Sequence, residues 1–187
     1  MPQFDEMLST AERNLNDSLR HFEQQPGGPA QEFVELKLQS CIFQYDVCAE
    51  MVGVLRNQAS GFAASVALKG LVLRLFEYHV ALNDHWIPKL LALAEMRRIG
   101  FDSKAIRDAR SAWKAEFKQL RGWSPIRNKA AGHYDAEVGE QVRLLKELTL
   151  EDVMGVARAF LTYNMALLVP MREAGLGPRN SALENDA

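Results

Sequence analysis

Apolar residues recur at three- and four-residue steps along nearly the whole chain, and alternating apolar and polar runs are nearly absent. That spacing is typical of α-helices that pack one face against a core, whereas a strand would need a period of two. The chain has 187 residues, of which 48% are hydrophobic, and this is ample for one packed core. The pattern predicts an all-α protein, an up-and-down bundle of four to five main helices. Residues 1–173 would form a single domain and 174–187 a disordered C-terminal tail.

Local signals divide this pattern into helices. The run of proline and glycine at 25–29 should end a first helix that begins at Phe4 and reaches about Gln24. A second helix should reach about Asn57. A third, from about Gly61 to Leu82, is rich in Ala, Leu and Val, which indicates burial on most sides and hence a central position.

The second half of the chain carries further start signals. Pro88 predicts a break and a short helix that ends near Ile99, since proline is tolerated in a first turn but not in a helix interior. Ser103 is expected to cap a helix over about 104–121, and Ser124 followed by Pro125 to cap the next. Thr149 with Asp152 three residues later predicts a capping box for a last helix to about Arg172.

Composition favours a cytoplasmic protein. The net charge is only −2, the first eight residues (MPQFDEML) are acidic where a signal peptide is basic, and no apolar run looks long enough for a membrane span. Cys41 and Cys48 are seven helical residues apart, which separates their Cα atoms by about 10.5 Å. Because bridgeable cysteines lie within about 7 Å, we expect two reduced core thiols.

Charge is segregated along the chain. Residues 97–129 hold ten Lys or Arg against three acids, a balance of +7, whereas the regions before and after are acidic. On a single helix over 104–121, six cations would fall within an arc of roughly 120°. A solvated face usually mixes signs, so this single-sign stripe predicts contact with phosphate or RNA, although an ordinary solvated face is the simpler alternative. The predicted stripe comprises Lys104, Arg107, Arg110, Lys114, Lys118 and Arg121.

The segment RNKAAGHYD, residues 127–135, is where the sequence suggests chemistry. A histidine near its ordinary pKa of about 6.5 can act as a general base at neutral pH, and a guanidinium offers a planar fork for phosphate oxygens. Arg127 and His133 could therefore remove a proton from an RNA 2′-hydroxyl and stabilise charge on the attacked phosphate, with no metal or cofactor. The structural alternative is that Arg127 pairs with a carboxylate while His133 packs near a helix end.

Helix geometry raises a difficulty for this pair. Six residues on one α-helix are about 9 Å apart along the axis and about 120° apart in rotation. Arg127 is long enough to reach round the helix, but two copies of the chain that face each other and form a joint cleft explain the pair better. The spacing therefore predicts a homodimer.

The segment SPIRNKAAGHYD resembles the signature of HEPN domains: Arg, four to six residues beginning with a polar one, then His, near the start of a late helix. Arg127, Asn128 and His133 match that pattern. The stretch RLFEYHVALNDHWIPKLLALAE, residues 74–95, is similar to the segment that precedes the motif in families associated with abortive infection and phage defence. As an order of helices, the likeness spans about residues 30–173.

The resemblance implies a usually dimeric helical bundle and a metal-independent endoribonuclease that leaves a cyclic phosphate, as a toxin or phage-defence effector. Arg127 and His133 would be the catalytic pair and Asn128 would orient them. An antitoxin or a nucleotidyltransferase would be a partner. In the branch paired with nucleotidyltransferases, a tyrosine lies two residues after the histidine, whereas Tyr134 follows His133 directly. The sequence therefore does not support regulation by modification of this tyrosine. Some members keep the fold without cleaving RNA, so the alternative is a non-catalytic bundle that binds a nucleotide, RNA or a protein.

Further polar residues surround these candidates. Glu77 or Asp84 could approach Arg127 and hold it, since active HEPN enzymes often have an acid on a preceding helix. Lys129 lies one turn before His133 and could lower its pKa or bind phosphate, but it could equally be an ordinary surface lysine. Tyr134 and Asp135 could line the cleft or end the helix. A metal site at Glu77, His79, Asp84 and His85 is not expected, because the two histidines are six residues apart rather than four.

Overall fold

The part of the chain that the structure describes is all-helical, with no β-strand. The structure is a computed structural model, and it describes residues 2–24, 31–96, 98, 103–131 and 138–175. The α-helices are α1 (Pro2–Gln24), α2 (Gln31–Asn57), α3 (Phe62–Ala81), α4 (Ile87–Met96), α5 (Ser103–Ser111), α6 (Lys114–Gly122), α7 (Ser124–Ile126), α8 (Val138–Lys146) and α9 (Leu150–Gly175). Two π-helical segments, Leu82–Trp86 and Arg127–Ala131, lie between them. The predicted all-α bundle is confirmed, and α1, α2, α3 and α9 are its long helices.

Helix α3 is central, as its composition predicts. It packs against α2, α6, α8, α9 and the second π segment. Leu71, Val72 and Leu75 are completely buried on it, and Leu68 nearly so. Helix α3 therefore brings together elements that are far apart in the sequence.

A buried polar chain ties α2, α3 and α9 together. The Tyr78 hydroxyl donates to Asn164 Oδ1 at 2.5 Å, and Asn164 Nδ2 donates to the Ser40 carbonyl at 3.1 Å. The Tyr78 ring also stacks on Phe43, with 3.5 Å between the ring centroids. Burial raises the pKa of Tyr78, so the phenol stays protonated and keeps its role as a donor.

The two cysteines are unpaired and buried, as predicted. Cys41 is in contact with the buried Ser18 hydroxyl at 3.2 Å, where α1 packs along α2. Burial raises the pKa of Cys48 to about 11, so this thiol is not ionised at neutral pH.

The break predicted at Pro88 is the first π segment. Pro88 lies in the first turn of α4, where it lacks an N–H and would clash with the carbonyl four residues earlier in a continuous α-helix. The chain widens instead, and the Ile87 N–H donates to the Leu82 carbonyl five residues before it. The helix axis thus continues through a wider turn.

The single helix predicted over 104–121 is wrong, because the chain breaks into α5 and α6 at Trp113. Trp113 has φ −121° and ψ 29°, and its N–H donates to the Arg110 carbonyl at 3.2 Å. The break lets Trp113 pack edge-on against Tyr163, with ring centroids 5.7 Å apart. Tertiary packing therefore overrides an amphipathic period that continues across the break.

The start of α9 confirms the predicted capping residue. Thr149 Oγ1 accepts a hydrogen bond from the Asp152 N–H at 3.1 Å and donates to the Asp152 carboxylate at 2.6 Å. The hydrogen bonds from Thr149 and Gln119 lower the pKa of Asp152. Helix α9 runs to Gly175, so residues 174 and 175 belong to it; the remainder of the predicted tail, 176–187, lies outside the described residues.

One stretch of α9 contradicts the expectation that no segment is long and apolar enough to span a membrane. By length and composition, Leu150–Val169 could do so. Half of it is buried inside the protein, where Val153, Ala157 and Phe160 belong to the core. This is also the composition of a core helix in a soluble protein.

Candidate functional site

The segment that begins the HEPN-like motif does not continue as a regular α-helix. Helix α7 has three residues, and the π segment Arg127–Ala131 follows it directly. The predicted Ser124 cap is not formed, because the Ile126 and Arg127 N–H groups donate to the Trp123 carbonyl at 2.9 and 3.2 Å. The α-helical angle between Arg127 and His133 thus does not apply over 127–131. Single π turns are frequent at functional sites.

Arg127 is held by an acid on α3. The carboxylate oxygen Glu77 Oε1 accepts from Arg127 Nε at 2.9 Å and lies 2.8 Å from Nη2. Arg127 Nη1 donates to Asn128 Oδ1 at 3.2 Å. The structure thus joins three of the residues singled out in the sequence. Of the two acids expected near Arg127, Glu77 is the one in contact with it; Asp84 lies exposed in the first π segment.

The guanidinium keeps donors available for a further anion. It has five N–H groups, of which Glu77 takes two along one edge and Asn128 takes one. The other two, one each on Nη1 and Nη2, have no partner among the described residues. The Arg127 side chain is 39% exposed, and its Cζ lies 5.6 Å from the centroid of the Phe76 ring. A carboxylate on one edge and an aromatic ring beside it fix the orientation of the fork.

The remaining motif residues are only partly described. Asn128 and Lys129 are exposed. Glu140 on α8 is bound by Arg143, whose hydrogen bond lowers the pKa of the Glu140 carboxyl, and the charge of Lys129 lowers it further. His133, Tyr134 and Asp135 lie outside the described residues, so their predicted roles stay predictions.

Glu77 also borders an open groove between α2 and α3. The groove has a volume of about 630 Å³ and combines charged and apolar walls. Arg74 spans it by approaching Asp46 and Glu50, each at 3.3 Å. A methyl group on Gly70 would lie 2.6 Å from Glu50 Oε1, so the glycine leaves room for that carboxylate. Ile42 adds an exposed apolar side chain.

His79 belongs to a buried network on another side of α3. Its ring packs against Phe117 and Phe160, at centroid distances of 5.3 and 5.8 Å. Its Nδ1 lies 3.1 Å from Asn83 Nδ2, and Asn83 Oδ1 accepts from Arg110 at 2.9 Å. Burial, with the nearby charges of Arg110 and Arg121, lowers the pKa of His79 to about 4. His79 is therefore neutral at pH 7, and its low pKa makes it a weak proton acceptor.

In the described parts of the chain, no group of three or more His, Cys, Asp and Glu side chains is arranged to hold a metal ion. Glu77 is engaged with Arg127, and His79 with Asn83. The four residues weighed as a metal site are thus not brought together as ligands.

The predicted basic stripe is only partly a stripe. Arg110 is half-buried: it donates to Asn83 and lies over the Phe117 ring, 4.9 Å from its centroid, so it is less exposed than the other five cations. Lys104 pairs with Asp108 at 2.8 Å, one turn along α5. The other four cations, Arg107, Lys114, Lys118 and Arg121, are exposed, as is Lys104.

Comparisons with known proteins do not assign the chain. No protein-family model matches it, and no curated protein or solved structure matches it significantly. The class of protein that the described residues define is an all-α bundle in which Arg127, in a π-helical segment, pairs with Glu77 on the central helix α3.

Proposed function

We propose that this protein is a metal-independent endoribonuclease of the HEPN type. Arg127 would bind the scissile phosphate, His133 would act as the general base, and Asn128 would help to orient them. The observation that carries the proposal is the state of Arg127: it is partly exposed, is held by Glu77, and has two N–H groups without a partner among the described residues. The resemblance of SPIRNKAAGHYD to the HEPN signature supplies the reaction.

The proposed chemistry needs an acceptor for one proton and a donor set for one oxyanion. His133 would take the proton of the 2′-hydroxyl, whose oxygen attacks the adjacent phosphorus. The bond from phosphorus to the 5′ oxygen breaks, which leaves a 2′,3′-cyclic phosphate. The departing 5′ oxygen would take a proton from solvent water to become a hydroxyl, and His133 would return its proton to the solvent. The Arg127 guanidinium would stabilise the charge that grows on the equatorial phosphate oxygens.

Glu77 would be a positioning residue. Its carboxylate binds the edge formed by Nε and Nη2, so the phosphate would be bound by the remaining N–H groups of Nη1 and Nη2. Because Glu77 lies on the central helix α3, it ties the orientation of Arg127 to the core. A misplacement of about 1 Å in such a group can cost roughly 100-fold in rate.

A homodimer is part of the proposal. The groove between α2 and α3 is where we place the second copy, because Glu77 both borders the groove and holds Arg127. A second chain seated there would stand beside the catalytic pair. The groove offers charges of both signs, Asp46 and Glu50 against Arg74, which suits a self-complementary two-fold contact. A role in the cytoplasm as a toxin or phage-defence effector remains part of the same proposal.

The test compares two ion pairs of the same chain. Glu77→Gln should lower the rate of RNA cleavage by about ten- to a hundred-fold. Its thermal stability should hardly change, since an exposed pair contributes about 0–1 kcal/mol. The matched control is Glu147→Gln. It removes an exposed carboxylate that pairs with Arg143, a residue with no proposed role in catalysis. If both variants cleave RNA at the wild-type rate, Glu77 does not position Arg127 for catalysis. If the wild-type protein does not cleave RNA either, the endoribonuclease proposal is replaced by that of a non-catalytic binding bundle.

A further inference from the structure

Helix α6 presents three exposed cations on one side. Lys114, Lys118 and Arg121 are spaced four and then three residues apart, which places them within an arc of about 60°. Another side of the helix is buried through Phe117 and Leu120. We call these three residues the α6 cation surface.

Within the described chain, Lys114, Lys118 and Arg121 form no ion pair, and the acid on the same helix, Glu116, is half-buried. The carboxylates that form ion pairs there are engaged with other cations, such as Asp108 with Lys104 and Glu77 with Arg127. This distinguishes α6 from α5, where Lys104 has its own acid and Arg110 is turned inward. The part of the predicted stripe with an uncompensated charge is therefore α6.

The backbone that carries these cations is firmly held. Phe117 packs edge-on against Phe160 and Tyr163, with centroids 4.7 and 5.0 Å apart. Gln119 reaches Asp152 at the start of α9. Helix α6 ends at Gly122, five residues before Arg127, and α7 joins it to the second π segment. The C-terminal end of α6 is thereby joined to the segment that carries Arg127.

We propose that the α6 cation surface binds the phosphate backbone of single-stranded RNA and guides it to Arg127. The choice of RNA rests on the proposed function, whereas the charge, exposure and spacing belong to α6 itself. The three cations span about 10.5 Å along the helix axis, so one strand can meet all of them without base-specific contacts. A membrane surface fits less well, because a helix that lies on a bilayer needs an exposed apolar face, and that of α6 is buried.

The test measures binding rather than cleavage. A labelled 2′-O-methyl oligouridylate carries the phosphates but lacks the attacking hydroxyl, so the wild-type protein can bind it without cutting it. Fluorescence anisotropy over a range of salt concentrations gives the affinity and its salt dependence. The variant is Lys114→Gln, Lys118→Gln, Arg121→Gln. The control, Arg13→Gln, Arg20→Gln, Lys37→Gln, makes the same change in net charge at exposed positions of α1 and α2.

We expect the α6 variant to bind at least tenfold more weakly at low salt, with a slope of log K against log salt that is shallower by about 2. The control should resemble wild type, and each single α6 substitution should reduce the slope by about 0.7. Equal losses in variant and control, unchanged binding by the α6 variant, or binding to anionic lipid vesicles but not to the oligonucleotide would overturn the proposal. If the α6 surface binds RNA but His133→Ala leaves cleavage unchanged, the proposed catalytic function fails while this inference stands.

Discussion

The buried histidine of α3 makes the stability of the protein depend on pH. His79 is 8% exposed, and burial with the charges of Arg110 and Arg121 keeps its pKa at about 4 in the folded protein; Asp84 opposes this shift. In the unfolded chain, the pKa of a histidine is about 6.5. The folded protein thus favours neutral His79, and its contribution to stability is complete above about pH 6.5. It is lost progressively as the pH falls from about 6.5 to about 4.

The size of this effect follows from the two pKa values. Their difference is about 2.5 units, and each unit corresponds to about 1.36 kcal/mol, which gives roughly 3 kcal/mol of stability lost between pH 6.5 and pH 4. This is a large share of the 5–15 kcal/mol typical of a small domain. Carboxylates also titrate in that range, so the effect of His79 must be isolated by comparison.

Urea unfolding of wild type and of His79→Leu, measured between pH 4 and pH 7.5, makes this comparison. Leucine fills a similar apolar site beside Phe117 and Phe160 but carries no titrating group. Wild type should lose about 3 kcal/mol more than the variant on acidification. Parallel curves of unfolding free energy against pH would show that His79 is not held in its neutral form and refute this reasoning.

Two further predictions concern the core and the assembly. Asn164→Leu should lower the unfolding free energy by about 2 kcal/mol or more, because the Tyr78 hydroxyl loses its buried acceptor. Adding Tyr78→Phe should recover part of this loss in a double-mutant cycle. A loss that the second substitution leaves unchanged would contradict the hydrogen bond. Light scattering over a range of concentrations should detect a dimer that Ile42→Glu weakens. The control is Leu19→Glu on α1, which should leave the dimer intact; Leu19 is 42% exposed and Ile42 is 38% exposed. A wild-type protein that is monomeric at every concentration would count against the proposed dimer.

Several helix ends could be predicted because neighbouring residues set them. The first two long helices end at Gln24 and Asn57 as expected, and the Thr149 cap depends on a residue three positions away. The division of α5 from α6 could not be predicted in this way, because Trp113 leaves the helix to pack on Tyr163, fifty residues later. The apolar period continues across that break and therefore conceals it.

The site shows the same distinction between local and distant causes. Pro88 signals a break, but nothing in the local sequence distinguishes a π turn at Arg127–Ala131 from a regular helix. The expected Ser124 cap is also absent, because the Trp123 carbonyl accepts the N–H groups that the cap would bind. Sequence spacing left Glu77 and Asp84 as equal candidates for holding Arg127. Packing of the second π segment against α3 decides between them and brings Glu77 into contact.

The proposed cleavage of RNA by His133 and Arg127, through attack of the 2′-hydroxyl, can be tested directly. The most direct measurement is cleavage of a labelled RNA by wild type and by His133→Ala, each in excess EDTA and each matched with a 2′-deoxy strand. We predict that wild type cuts the RNA in EDTA, leaves a cyclic phosphate and spares the deoxy strand, while His133→Ala has lost activity with its thermal stability nearly intact. Cleavage by His133→Ala at the wild-type rate would contradict the account.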